Sequence, residues 1–474
     1  MPGKQNASIK GNFIFNVILT LSTYIAQLIV YPYVSRVLGV ENIGVVGFVN
    51  KTIEIFLIFS TLGISTVGVR EIAVAKGNKN SLDSVFSSLV SFLIVTTFVV
   101  SIVYVLAVLF ITKFNVHSDL FYIGLGKLLF STLLIEWFYQ GLEEFRYITI
   151  RSVLIKIVYI VLVFIFVKSE ADAKIYFLLT VFVVMLNGVI NWITSHKYVS
   201  FRFSFESSLK YAKDMFVFGT YLMLNATFST CNYLFLGLIC DDKEVGFYYT
   251  AESFYFILLS LITAFTRVML PRMASLLAED RKEEFNSSIA MSLRIVLSIC
   301  IPISIFGYTF ASPIIYIFSG AGYEGAINPM KILMLLVTIN ALNQIFIVQV
   351  ATPLKLDKEI LIGTIIGTIV ALSSNYFMIK AYGAVGCSLV LVTAVVMANL
   401  YPIIYIIKRK LIIINWHECA VLLLKSLPYC AISFVVKHYF DETNQIIQLV
   451  IALFIYLSYF YITQQRIIKE LINK

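Results

Sequence analysis

The residues whose types and spacing could do chemistry are ionisable side chains that lie inside long apolar runs. The stretch Tyr31–Glu54 joins the end of one apolar run to the start of the next, and the second run carries Lys51 and Glu54. These two residues are three positions apart, so they share one helix face and could form an ion pair. A charge at lipid depth costs several kcal/mol unless it faces protein, water or an opposite charge. We therefore interpret Lys51 and Glu54 as candidates for a functional site.

Seven further ionisable side chains complete the candidate set, in which basic residues are predicted to bind substrate and acidic residues to couple transport to an ion or proton. The basic set is Arg36, Lys51, Lys127, Lys156, Arg267 and Arg294, and the acidic set is Glu54, Glu136 and Glu252. A cavity lined by basic side chains favours an anionic substrate, because these side chains bind phosphate. A buried carboxylate near a lysine can exchange protons, which would couple transport to a gradient.

The competing interpretation of the basic residues is that their long side chains extend along the helix to the lipid headgroups. Cationic side chains near the ends of membrane helices commonly do this. Lys331, which also lies in an apolar run, and Arg267 fit this interpretation best. Carboxylate side chains are too short to reach as far, so the acidic set is predicted to face a cavity.

Motifs of enzymatic chemistry are missing from the sequence. It has no G-x-x-x-x-G-K-[ST] phosphate loop, no G-x-S-x-G or H-E-x-x-H motif and no CxxC pair. Its four histidines lie near the ends of apolar runs, where an interfacial position explains them. No Lys/Arg cluster is long or aromatic-rich enough to indicate nucleic-acid binding. We therefore expect no enzyme activity, no cofactor, no metal site and no nucleic-acid partner.

The composition is that of an integral membrane protein. Hydrophobic residues make up 59% of the 474 residues, charged residues make up 13%, and the mean hydropathy is +0.90. A soluble chain would be about one quarter charged. A transmembrane helix needs roughly 20 apolar residues, and such runs recur along the chain, whereas alternating barrel strands do not. The predicted fold class is an all-α polytopic membrane protein with about 14 transmembrane helices.

The distribution of basic residues predicts the orientation in the membrane. With the N-terminus inside, alternate loops and termini hold 22 Lys and Arg residues on the inner side and 7 on the outer side. Cytoplasmic loops carry such an excess of basic residues. Both termini are therefore predicted to be cytoplasmic.

An internal repeat predicts the domain organisation. At an offset of 202 residues, Gly44 aligns with Gly246 and Arg70 aligns with Arg272. Two homologous six-helix halves of the same orientation are a recurring transporter plan. We predict an N-terminal bundle over residues 1–205, a second bundle over residues 206–410, and two additional helices with a cytoplasmic tail over residues 411–474.

Several motifs in a fixed order resemble one family of membrane proteins. These motifs lie at Pro32–Phe48 (PYVSRVLGVENIGVVGF), Gly68–Ala73 (GVREIA), Leu270–Asp280 (LPRMASLLAED), Gly322–Leu333 (GYEGAINPMKIL), Leu354–Gly363 (LKLDKEILIG) and Tyr382–Leu389 (YGAVGCSL). Together they resemble Wzx-type flippases of O-antigen and capsule repeat units. These flippases belong to the multidrug, oligosaccharidyl-lipid and polysaccharide exporter superfamily.

The resemblance implies a V-shaped, two-bundle exporter in the bacterial cytoplasmic membrane, with a cationic lumen. Its substrate would be an undecaprenyl-pyrophosphate-linked oligosaccharide, moved from the inner to the outer leaflet by alternating access. Membrane lipid, a polysaccharide polymerase and chain-length proteins would be its partners. Lys51 best matches a pyrophosphate-binding position of the family, and Arg36 lies just outside it. In the second half Ser253 takes the place of Lys51, with Glu252 adjacent, so the two halves are not electrostatically equivalent.

Three alternatives to a flippase fit the sequence less well. A drug exporter of the same superfamily that carries cationic drugs would favour more acidic than basic residues in the lumen. A polytopic polysaccharide polymerase or ligase usually needs a long outer loop with Arg and His, and the longest outer loop here, Ala311–Ala326, is short and has neither. A structural membrane protein would not need charges inside its helices.

Overall fold

The structure, a computed structural model, describes residues 9–227, 230–439 and 445–463. Within these ranges the secondary structure is helical and contains no strand. Eleven helical segments in the described part are long and apolar enough to cross a membrane. The predicted all-α polytopic membrane protein is thereby confirmed, whereas the count of about 14 helices stays a prediction. Of the basic residues that predict the orientation, Lys4, Arg466, Lys469 and Lys474 lie outside the described ranges.

The chain forms two compact units, which divide between Leu238 and Ile239. The boundaries predicted from the sequence, after residues 205 and 410, stay predictions. The helices of the first unit are α1 (Ile9–Thr61), α2 (Ile64–Ala75), α3 (Lys79–Phe110), α4 (Thr112–Val116), α5 (Ser118–Ser131), α6 (Glu136–Gly141), α7 (Phe145–Phe166), α8 (Ala173–Ser195), α9 (Phe205–Ser208), α10 (Ala212–Thr227) and α11 (Thr230–Ile239).

The second unit contains the remaining helices. They are α12 (Asp242–Ala278), α13 (Lys282–Thr309), α14 (Ala311–Ser319), α15 (Ile327–Asn343), a π-helix over Gln344–Ala351, α16 (Asp357–Lys408), α17 (Trp416–Tyr439) and α18 (Gln445–Thr463). Asp241 caps α12 by accepting a hydrogen bond from the Glu244 backbone N–H at 3.0 Å. Such a cap satisfies one of the N–H groups that the first turn of a helix leaves without an intrahelical partner.

Two of the longest helices contain a non-helical glycine. Gly39 in α1 has a φ of 74°, and Gly383 in α16 has a φ of 52°. Residues with a Cβ rarely adopt such positive φ angles, so glycine allows the helix axis to change there. In α1 this places Lys51 and Glu54 in the segment that follows the interruption.

The outer faces of the helices are apolar, as contact with lipid requires. On α3, for example, Phe98, Val99, Ile102 and Val103 are each at least 47% exposed and recur at helical spacing. Buried aliphatic and aromatic residues together form a core in the first unit, where the Phe86 and Phe138 ring centroids are 4.8 Å apart. This core holds α6, the short helix that begins at Glu136.

Candidate functional site

The first charged cluster joins α1 to α5 and is called the Lys51 cluster. Lys51 Nζ lies 3.0 Å from Glu54 Oε2, which confirms that the two residues pair along one helix face. Asn50 Nδ2 donates to the other carboxylate oxygen, Glu54 Oε1, at 3.2 Å. Lys127 Nζ on α5 donates to Asn50 Oδ1 at 2.5 Å. The two lysines and the carboxylate therefore belong to one hydrogen-bonded network.

An aromatic ring from a third helix completes the Lys51 cluster. Lys51 Nζ lies 5.5 Å from the ring centroid of Tyr233 on α11, a cation–π distance. Helix α11 can come this close because Gly237 packs against the Phe48 ring. A Cβ at Gly237 would lie 2.2 Å from that ring, closer than packed atoms allow. The side chains of Phe48 and Tyr233 are fully buried.

The composition of the Lys51 cluster suits an anion. It brings two lysine side chains into one network with a single glutamate, through Asn50. The Lys51 and Glu54 side chains are 17% and 38% exposed, so the pair lies partly buried and yet accessible. Ammonium groups bind phosphate as point charges.

The second charged cluster lies at an interruption between α5 and α6. Residues 132–135 are not helical, and Ile135 has a φ of 31°. Asn191 on α8 donates to the backbone oxygen of Leu134, which replaces a lost helical partner. Non-helical backbone at membrane depth is tolerated where protein satisfies its polar groups. The interruption places Glu136 beside α7.

Glu136 pairs there with Arg151, and this pair is called the Arg151 cluster. Arg151 Nη2 donates to Glu136 Oε1 at 2.8 Å and to Ser152 Oγ at 3.0 Å. The Arg151 side chain is 5% exposed and that of Glu136 is 40% exposed. Arg151 Nε and Nη1 are buried and contact no acceptor among the described residues. The guanidinium is therefore only partly compensated, and it depends on Glu136.

Lys156, on the same helix as Arg151, contacts α1. Its ammonium donates to Ser22 Oγ at 2.9 Å, to Thr23 Oγ1 at 2.7 Å and to the Leu19 backbone oxygen at 3.3 Å. An ammonium has three donors, so these contacts use all of them. In this conformation Lys156 joins α7 to α1.

Four candidate residues remain, of which Arg36 belongs to the first unit and the other three, Glu252, Arg267 and Arg294, to the second. Arg36 and Arg267 are exposed. Glu252 is 2% exposed and accepts a hydrogen bond from the Tyr248 hydroxyl at 3.4 Å. Arg294 on α13 lies 2.5 Å from Glu418 Oε1 on α17, so this ion pair joins two helices of the second unit. Among the described residues, no group of three or more His, Cys, Asp or Glu could hold a metal ion.

Sequence reasoning missed four residues that contribute to these contacts. Asn50 is adjacent to Lys51, and its position next to two intramembrane charges was the signal that could have identified it. Arg151 follows the start of its apolar run too closely to be distinguished from a charge at the helix end. Tyr233 and Glu418 are distant in sequence from their partners, and no local pattern indicates them.

Comparison with known proteins places these features in a family. The family described as "Polysaccharide biosynthesis protein" matches residues 9–277, which is more than half of the chain. A relative from Escherichia coli strain K12 is 23% identical over 414 residues, covering 86% of this chain and 98% of the relative. A relative from Shigella dysenteriae is 22% identical over 390 residues, covering 80% of this chain and 95% of the relative. Both relatives are named for O-antigen transport.

Solved transporter structures share the fold. The lipid II flippase MurJ, in an inward closed conformation, matches with a TM-score of 0.72 and 16% identity, covering 96% of this chain and 99% of that one. An inward-facing MATE family transporter of the MOP superfamily matches with a TM-score of 0.62 and 15% identity, covering 84% and 99%. The resemblance that the sequence motifs indicated is confirmed.

Proposed function

Because this chain belongs to the polysaccharide biosynthesis protein family, we propose that it is a flippase for lipid-linked oligosaccharides. The proposed substrate is an undecaprenyl-pyrophosphate-linked repeat unit for surface polysaccharide. The protein moves it from the inner to the outer leaflet of the bacterial cytoplasmic membrane by alternating access, with both termini in the cytoplasm. The names of its relatives and the flippase fold of MurJ support this proposal.

The observation that carries the proposal is the Lys51 cluster. A lipid pyrophosphate is an anion that must cross the low-dielectric interior of the membrane, where an uncompensated charge is costly. Lys51 and Lys127 offer two ammonium groups in one network, and the Lys51–Glu54 pair is accessible. We assign pyrophosphate binding to these two lysines.

The other basic candidates have less direct roles in this proposal. Lys156 and Arg294 hold neighbouring helices together through their present partners. Arg36 and Arg267 are exposed and would attract the anion on its way to or from the site. A polysaccharide polymerase and chain-length proteins, which would use the exported repeat units, are the proposed partners.

Coupling to an ion or proton is proposed for the acidic residues, with Glu252 the strongest candidate. Its side chain is only 2% exposed, and its carboxyl group accepts a hydrogen bond from the Tyr248 hydroxyl at 3.4 Å. A Glu252→Gln variant should export repeat units at a rate that no longer responds to collapse of the coupling gradient by an ionophore. An unchanged response would remove Glu252 from the coupling role.

The experiment that tests the proposed function replaces Lys51 in cells that depend on this protein for surface polysaccharide. We expect Lys51→Ala to abolish export while the protein remains in the membrane. Lys425→Ala is the matched control, because Lys425 also lies in a membrane helix but has an exposed side chain. Normal export by a stably expressed Lys51→Ala variant would refute the assignment.

A drug exporter of the same superfamily is the second candidate, which the MATE-like fold favours. The two lysines that meet in the Lys51 cluster disfavour a cationic drug as the substrate. Export of a cationic dye by the purified protein in vesicles, without binding of undecaprenyl pyrophosphate, would support this candidate over the flippase.

A further inference from the structure

Asn50 joins Lys127 to Glu54, the partner of Lys51, through both ends of its amide. Its oxygen accepts from Lys127 on α5, and its nitrogen donates to Glu54 on α1. An amide side chain offers an acceptor and a donor in one rigid group. Asn50 therefore fixes the positions of a cation and a carboxylate that lie on different helices.

Glu54 occupies the position that an anionic substrate group would need. One carboxylate oxygen lies 3.0 Å from Lys51 Nζ, which is the distance a phosphate oxygen would take. The Glu54 side chain is 38% exposed and that of Lys51 is 17% exposed. The carboxylate can therefore turn outward while the ammonium stays in place over the Tyr233 ring, 5.5 Å from its centroid.

We propose that Glu54 is an internal counter-ion and that Asn50 is the positioning residue for Lys127. The substrate phosphate displaces Glu54 from Lys51, and Glu54 later helps to expel the substrate. This proposal rests on the proposed function. In the empty protein Glu54 compensates Lys51, so the site does not present two unpaired cations at membrane depth. During transport the phosphate and the Glu54 carboxylate compete for Lys51. This competition limits the affinity of the site for the substrate, and so permits the substrate to be released.

The first test measures binding and turnover of a Glu54→Gln variant of the full chain. Glutamine keeps the shape and the hydrogen bond from Asn50 but removes the competing charge. Loss of a partly exposed ion pair should tighten the Kd for inorganic pyrophosphate and for undecaprenyl pyrophosphate about three- to five-fold in lipid nanodiscs. In vesicles, kcat and KM for transport should both fall. Glu41→Gln is the control, because Glu41 is an exposed carboxylate of α1 outside the cluster.

A Glu54→Gln variant with unchanged or weaker pyrophosphate affinity would overturn the counter-ion role. The same conclusion would follow if affinity rose but kcat did not fall, because the carboxylate would then have no part in release. A merely structural role for Glu54 would lower the yield of folded protein without this joint fall in KM and kcat.

The second test is a double-mutant cycle between Asn50 and Lys127. Asn50→Ala should weaken pyrophosphate binding about ten-fold, because it removes a hydrogen bond to a charged group. In a Lys127→Ala background the same substitution should have almost no further effect, since Asn50 acts on affinity through Lys127. Asn50→Gln, which keeps the amide, should recover part of the loss. Asn187→Ala is the control, because the Asn187 amide nitrogen donates to the Val183 backbone oxygen within α8.

Additive losses in the cycle would overturn the positioning role of Asn50. The outcomes also separate this proposal from the proposed function. If Lys51→Ala binds pyrophosphate as the wild type does, the site itself is wrong. If Lys51→Ala loses binding while Glu54→Gln does not gain it, only the counter-ion role fails.

Discussion

The Arg151 cluster predicts a large and specific stability effect in the first unit. Replacing Glu136 by Gln removes the negative charge beside the buried Arg151 guanidinium, whose other contacts among the described residues are the Ser152 hydroxyl and the Tyr147 ring. Removing one partner of a fully buried ion pair costs about 3–5 kcal/mol. Because Glu136 is 40% exposed, we expect a smaller loss, about 2–3 kcal/mol in the free energy of unfolding. For a unit of this size such a loss lowers Tm by roughly 5–10 °C.

Thermal unfolding of the purified variants in detergent measures this prediction. Glu136→Gln combined with Arg151→Met should recover most of the lost stability, since no buried charge then remains uncompensated. Glu143→Gln is the matched control, because Glu143 pairs with Lys76 at 2.9 Å while both side chains are exposed. That change should cost less than about 1 kcal/mol. Equal losses in the two single carboxylate variants, or no recovery in the double variant, would refute the reasoning.

Two further predictions concern the contacts between helices. Gly237→Ala should lower the free energy of unfolding by about 1–3 kcal/mol and weaken pyrophosphate binding, because its Cβ would meet the Phe48 ring and move Tyr233 away from the site. Thermal unfolding and pyrophosphate binding measured on one sample would show both effects. A stable variant with normal binding would contradict them. The double variant Arg294→Glu with Glu418→Arg should recover the stability that either single charge reversal removes, while export stays close to normal. If this exchange abolishes export, Arg294 has a role beyond joining the two helices.

The fold class was predictable from the sequence because it depends on averages over many residues. Long apolar runs determine that the chain is a helical membrane protein, and a single substitution barely changes that signal. The pairing of Lys51 with Glu54 was also predictable, since a spacing of three residues places both on one helix face.

The rest of the candidate site depends on contacts between residues that are distant in the sequence. Asn50 and Lys127 are 77 positions apart, and Arg294 and Glu418 are 124 apart. Such pairs form only when particular helices pack side by side, and periodicity does not encode which helices do so. The sequence therefore contains no sign that Arg294 pairs with Glu418, and the substrate-binding role predicted for Arg294 stays a prediction.

Binding of undecaprenyl pyrophosphate to the full chain in lipid nanodiscs tests the central claim most directly. The wild type should bind saturably, and inorganic pyrophosphate should compete. Lys51→Ala should weaken binding at least about ten-fold, since it removes a charge-assisted contact to the anion. Lys425→Ala should bind as the wild type does. Equal affinities of the wild type and the Lys51→Ala variant would contradict the claim that the Lys51 cluster holds the lipid pyrophosphate.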